Sequence, residues 1–131
     1  MFAFRRVLSI TTASDGTATV LDTESVTGRL IAALYVPDAT NLDNAAALTL
    51  TAENADGGKQ TLLNGATVTA GATAQQWAPR QPTHKNDGTA ALYAASGLAV
   101  NDHYMLAGDQ LKLVVASGGN AKKGKLVLIL G

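Results

Sequence analysis

The sequence predicts an all-β protein: one domain, an antiparallel sandwich or barrel, with one long loop. Three observations carry this. Residues 109–131 hold two apolar runs of period two around a glycine-rich turn, and period two is the signature of a strand. Turn signals recur at spacings of about 8–12 residues, as in sandwiches and barrels. The chain has 131 residues and no cysteine, enough for one core without disulfide staples.

From the N-terminus, Phe2, Phe4, Leu8 and Ile10 share one parity, which Arg6 breaks. Thr11, Thr12, Thr17, Thr19 and Val20 extend the β-branched character. Ser14-Asp15-Gly16 between them predicts a hairpin tip; it has too few acidic residues for a calcium loop. Residues 28–36, GRLIAALYV, predict a central strand ended by Pro37-Asp38. Leu30, Ala32, Leu34 and Val36 would share one face and Ile31, Ala33 and Tyr35 the other. Residues 38–44 read as a loop. Ala46, Leu48, Leu50 and Ala52 alternate with Ala47, Thr49, Thr51 and Glu53, a strand with one wet face.

Asp56-Gly57-Gly58 predicts a turn, and Asn64-Gly65 a tight turn joining 59–63 to 66–70. Gly71 interrupts before a short strand within 72–77. Residues 78–107 carry two of the three prolines and cannot form a central strand. They predict an exposed arm that meets a partner, with one helical turn or a short edge strand at 89–96. In the last segment Leu111, Leu113 and Val115 alternate with Lys112, Val114 and Ala116. Leu126, Leu128 and Leu130 alternate with Lys125, Val127 and Ile129. Both faces are mostly apolar, which predicts a hairpin inside a sheet packed on both sides.

Ten basic and ten acidic residues cancel, which argues against nucleic acid as a partner. At 15 % charged residues the surface is bland, which suits a permanently assembled subunit. No run reaches the about 18–20 apolar residues of a membrane helix, and the first 16 residues have the wrong order for a signal peptide. The expected partners therefore exclude nucleic acid and membrane.

His84, near Asp87, and His103, beside Asp102, supply a metal site only if two loops converge; solvated loop histidines are the commoner case. Residues 118–124, GGNAKKG, mimic a phosphate cradle, but a P-loop runs Gly-Lys-Ser/Thr into a helix and this stretch runs into a strand. Lys122, Lys123 and Lys125 make a basic tip, either for an acidic partner surface or to guard a sheet edge. Trp77 is a core residue at a strand end or an interface anchor, and Tyr93 and Tyr104 pose the same choice. No Ser/His/Asp order is distinctive. The reading is of a protein without enzymatic activity, catalytic residues, cofactor or bound metal.

Three stretches carry a resemblance. They are ITTASDGTATV at 10–20, GRLIAALYV at 28–36, and WAPR at 77–80 followed after the long loop by GDQLKLVVA at 108–116 and GGNAKKG at 118–124. Over nearly its whole length the chain resembles a family of small tailed-bacteriophage virion proteins: capsid cement, decoration or minor head proteins. The resemblance implies a β-sandwich or jelly-roll-like subunit, often a dimer or trimer of copies of itself. It implies a structural protein that binds between major capsid proteins, stabilises the head, and resides in the virion after assembly in the bacterial host cytoplasm. The loop at 78–107 is longer and richer in Ala than the family leads one to expect. The residues expected to meet partners are Arg5, Arg6, Trp77, Arg80, His84, Lys85, Tyr93, Tyr104, Lys122 and Lys123. A head–tail or tail component and a carbohydrate-binding β-sandwich module are the alternatives.

Overall fold

The computed structural model describes residues 3–131; Phe2 lies outside them. Among the described residues there are ten strands and no helix: β1 (Phe4–Thr11), β2 (Ala18–Leu21), β3 (Val26–Pro37), β4 (Ala46–Glu53), β5 (Lys59–Val68), β6 (Gln75–Trp77), β7 (Gln81–Pro82), β8 (Asn101–Asp102), β9 (Met105–Ala116) and β10 (Lys123–Leu130). The expected all-β, antiparallel architecture is observed.

Eight strands form two four-stranded layers, β1-β10-β3-β6 and β2-β9-β4-β5, joined where the start of β3 pairs with the start of β9. Of the connections among these strands, β4 to β5 is a hairpin within one layer; the others cross between layers. That pairing order is the jelly roll, two Greek keys folded over one core. β7 and β8 pair with each other in a ribbon inserted between β6 and β9.

Alternation decides the core. In β9, Leu111, Leu113 and Val115 are buried and Lys112 and Val114 face out; in β10, Leu126, Leu128 and Leu130 are buried. They join Leu8 and Ile10 of β1, Leu30 and Tyr35 of β3, and Leu48 and Leu50 of β4 in one cluster. Tyr35 is fully buried, and its hydroxyl accepts from the Leu42 amide at 3.2 Å and donates to the Gly71 carbonyl at 2.7 Å. Burial pushes its phenol up from the ordinary value.

Four local expectations are corrected. β9 and β10 are not a hairpin: they lie in opposite layers, and each buries one face. The apolar outer residues Val127 and Ile129 made both faces look internal. The turn at Ser14-Asp15-Gly16 is likewise a crossing from β1 to β2, because β2 pairs with β9. Asn64-Gly65 is a bulge inside the continuous strand β5. Leu48 pairs with Ala66 and Leu50 with Leu63, so two steps on β4 span three on β5, and Gly65 takes φ 62°. A left-handed glycine serves a bulge as readily as a tight turn. In β3 a bulge at Ile31 shifts the parity: Ile129 pairs with Ala32 but Leu130 with Leu30. Leu30, Ala33 and Tyr35 consequently face the core, while Leu34 lies between Val127 and Gln76 on the outer side. Three further expectations in this part of the chain stand: the strand at 46–53 with one wet face, the turn at Asp56-Gly57-Gly58 and the loop after Pro37.

Candidate interaction surfaces

The residues expected at interfaces fall in separate regions. His84, Lys85 and Tyr93 lie on the arm between β6 and β9, and Trp77, Arg80 and Tyr104 lie at its base. Arg5 and Arg6 lie on β1. Lys122 and Lys123 lie at the opposite end of the barrel, because β9 runs away from the arm before β10 begins.

The arm is built from short paired segments. Gln81 pairs with Asp102 and Pro82 with Asn101. Thr83 donates its amide to Val100 at 2.8 Å, Lys85 to Thr89 at 2.8 Å, Ala91 to Thr83 at 3.1 Å and Val100 to Ala91 at 2.9 Å. The 89–96 stretch is neither a helical turn nor an edge strand. It makes isolated bridges at Ala90 and Leu92 and then a turn closed by Tyr93 to Leu98 at 3.1 Å and Gly97 to Ala94 at 2.9 Å. That turn presents Tyr93 at 76 % and Leu98 at 83 % exposure, with Leu92 beside them. A shallow hollow lined by Lys85, Ala90, Leu92, Ala94 and Ala95 lies on the same arm. The arm ends earlier than expected, since Met105 already starts β9.

The base is fastened to the barrel. Trp77 pairs with Ala33 and is partly buried against the core, as is Tyr104. Arg80 lends Nη1 to the carbonyls of Ile31 at 3.1 Å and Pro79 at 2.8 Å. Gln81 Nε2 donates to the His103 carbonyl at 3.2 Å. The His103 backbone amide, and then its ring, hold the exposed Asp102 carboxyl below the ordinary range. No trio of His, Asp or Glu side chains gathers into a metal cage among the described residues.

Arg6 is held within its own chain. It shares the inward parity of Leu8 and Ile10 at the end of the core. Its Nε reaches Asp22 Oδ2 at 2.7 Å, Nη2 bonds Asp22 Oδ1, and Nη1 reaches Glu24 Oε2 at 3.2 Å. The guanidinium hydrogen bond pulls the buried Asp22 carboxyl below its ordinary range despite the opposing desolvation. The break in the N-terminal parity is thus the cap of a core end, with a forked cation on a buried carboxylate. Arg5, of the other parity, is exposed.

The basic tip is a packed junction of three loops. Thr12 Oγ1 donates to the Gly119 carbonyl at 2.6 Å and accepts the Lys122 amide at 2.8 Å; Asp43 donates its amide to Gly118 at 3.0 Å and Lys123 to Thr40 at 2.7 Å. A Cβ on Gly118 would lie 2.7 Å from Thr12 Cγ2, and one on Gly119 2.6 Å from the Asp43 carboxylate. These glycines permit loop packing, which accounts for the likeness to a phosphate cradle. Lys122 is half-buried and Lys123 exposed.

Sequence reasoning missed Leu92 and Leu98 on the arm. It also missed the outward apolar row Val7–Val127–Leu34, aligned across β1, β10 and β3. The signal was the apolar residues on both parities of the last strand.

No family model matches the chain, and no curated protein does. A search of solved structures found a structure of infectious bursal disease virus Gx strain, with 16 % identity, covering 97 % of this chain and 32 % of that one, at a TM-score of 0.31. The chain thus spans about a third of the length of that match, and a likeness of this size carries no argument about function.

Proposed function

We propose that this chain is a structural protein of a virion. More finely, it is a capsid cement or decoration protein of a tailed bacteriophage that binds between major capsid proteins, acts as a dimer or trimer, and stabilises the head. The observation that carries the reading is the arm: a hydrogen-bonded ribbon, fastened at its base, that holds Tyr93 and Leu98 out in solvent. Large apolar side chains fixed in that way suit contact with a partner. The sequence resemblance supports the finer statement. The jelly roll is compatible with it, being shared by viral capsid domains, lectins and cupins, although a fold alone does not assign a function. In this reading the protein does no chemistry. It binds the assembled shell and shifts the equilibrium towards it, and many copies add avidity.

The carbohydrate-module alternative calls for an aromatic platform. Trp77 and Tyr104 are packed on the core, so that reading loses two of its candidate rings.

The test is thermal uncoating of particles with and without the protein. Particles carrying it are expected to uncoat at a higher temperature. Adding back a Tyr93→Ser/Leu98→Ser variant is expected not to restore that temperature. Equal uncoating temperatures with and without wild-type protein would remove the cementing role.

A further inference from the structure

We propose that the outer face of the β1-β10-β3-β6 layer is a docking surface for a protein with an acidic, apolar-centred face. This deepens the virion reading and rests on it for where the partner is found, a neighbouring shell subunit. The chemistry comes from the face itself.

Register lays the outward residues in rows, since residues directly opposite in an antiparallel pair share a face. The middle row is Val7–Val127–Leu34, with Val7 51 % exposed. On one side lies Ser9–Lys125–Val36, and on the other Arg5–Ile129–Ala32. A shallow depression at Phe4, Arg5 and Ile129 continues the face to its edge.

Charge is partitioned between the layers. The four strands of this one contain Arg5, Arg6, Arg29, Lys123 and Lys125 and no acidic residue. The other layer is balanced, with Glu53 and Asp109 against Lys59 and Lys112. Arg6 is spent on Asp22 and Glu24, and Arg29 Nε donates to the Gly131 carbonyl at 3.3 Å. Arg5, Lys123 and Lys125 remain exposed, and none has a carboxylate within ion-pair distance among the described residues. An apolar row exposed at Val7 and half-buried at Val127 and Leu34, flanked by three unpaired cations, is satisfied by a surface that covers the row and brings carboxylates to its rim. A second copy placed face to face does not meet that need, because it would set cations against cations.

The test uses the full-length chain and particles of its own virus stripped of it. Wild type is expected to rebind, with an affinity that falls as NaCl rises from about 50 to 300 mM. Arg5→Glu/Lys125→Glu and, separately, Val7→Glu are expected to lower that affinity by about tenfold or more. Lys112→Glu, on the outer face of the other layer, is expected to stay within about twofold. All of these positions are exposed, and melting curves check that the variants fold. If wild type rebinds and the Arg5/Lys125 and Val7 variants rebind as tightly, the docking face is wrong and the virion reading stands. If wild type does not rebind, the virion reading fails. The face is then judged by flotation with phosphatidylserine vesicles and by gel shift with a short DNA duplex. Binding to either that is lost in the Arg5/Lys125 variant, or no binding to any of them, overturns the acidic-protein assignment.

Discussion

Arg6 and Asp22 show how one pair can change the meaning of a residue. By sequence, Arg6 is an interruption in an apolar parity and a free cation for a partner. In the fold it closes the end of the core on a carboxylate that is 5 % exposed. Removing one partner strands the other, so Asp22→Asn is expected to cost about 2–3 kcal/mol, below the full cost of a deeply buried pair because Arg6 is partly solvated. The pH dependence has a definite sign. The Asp22 carboxyl is lowered in the folded state. Its contribution is complete above the unfolded-state value of about 3.9 and is lost as pH falls through the lower folded value. Urea melts from pH 7 to pH 2.5 should show wild type losing stability on acidification more steeply than Asp22→Asn. Parallel curves would mean that the pair contributes nothing.

Among the elements, β5 teaches the most. Asn-Gly between apolar runs is a strong hairpin signal, yet β5 runs straight through it. Its first half already pairs with β4 through the hairpin at residues 54–58, and β4 continues as a partner for its second half. One partner strand serves both halves, so the extra residue is absorbed as a bulge, and Gly65 donates its amide to Thr49 Oγ1 at 3.1 Å. Apart from its chain neighbours, no residue has an atom within 4 Å of a Cβ placed on Gly65, so the cost of substitution is conformational. Gly65→Val is expected to destabilise by about 1–2 kcal/mol, and Gly65→Asn by less, because Asn tolerates the left-handed region. Thermal melts of the two variants check this; equal loss in both would mean that the left-handed backbone is not the cause. β3 makes the same point. Its existence and central place were legible at 28–36, whereas the bulge at Ile31 exchanged the faces of everything after it.

At the scale of the whole molecule, barrel and arm carry different duties. The core cluster spans both layers, and the arm adds to it only at its base, through Trp77 and Tyr104. Replacing residues 83–100 by a short glycine turn, with β7 and β8 kept, is expected to leave the melting temperature within a few degrees while abolishing rebinding to particles. Loss of the cooperative transition in that variant would show the arm to be part of the fold. The interface residues expected by sequence divide along the same line. His84, Lys85 and Tyr93 are available on the arm, and Arg5 and Lys123 on the outer sheet face. Trp77, Arg80 and Tyr104 fasten the arm, and Arg6 caps the core.

Alternation of side chains and the chemistry of Gly, Pro and Asp are local properties, so the sequence by itself determined the all-β class, most strand positions and the exposed arm. Which strand pairs with which is a long-range choice, made by the need to close two layers over one core. The tertiary structure therefore decided that neighbouring strands such as β9 and β10 lie in opposite layers, and that β3 changes face midway. It also gathered Val7, Val127 and Leu34, far apart in the chain, into one row bordered by cations.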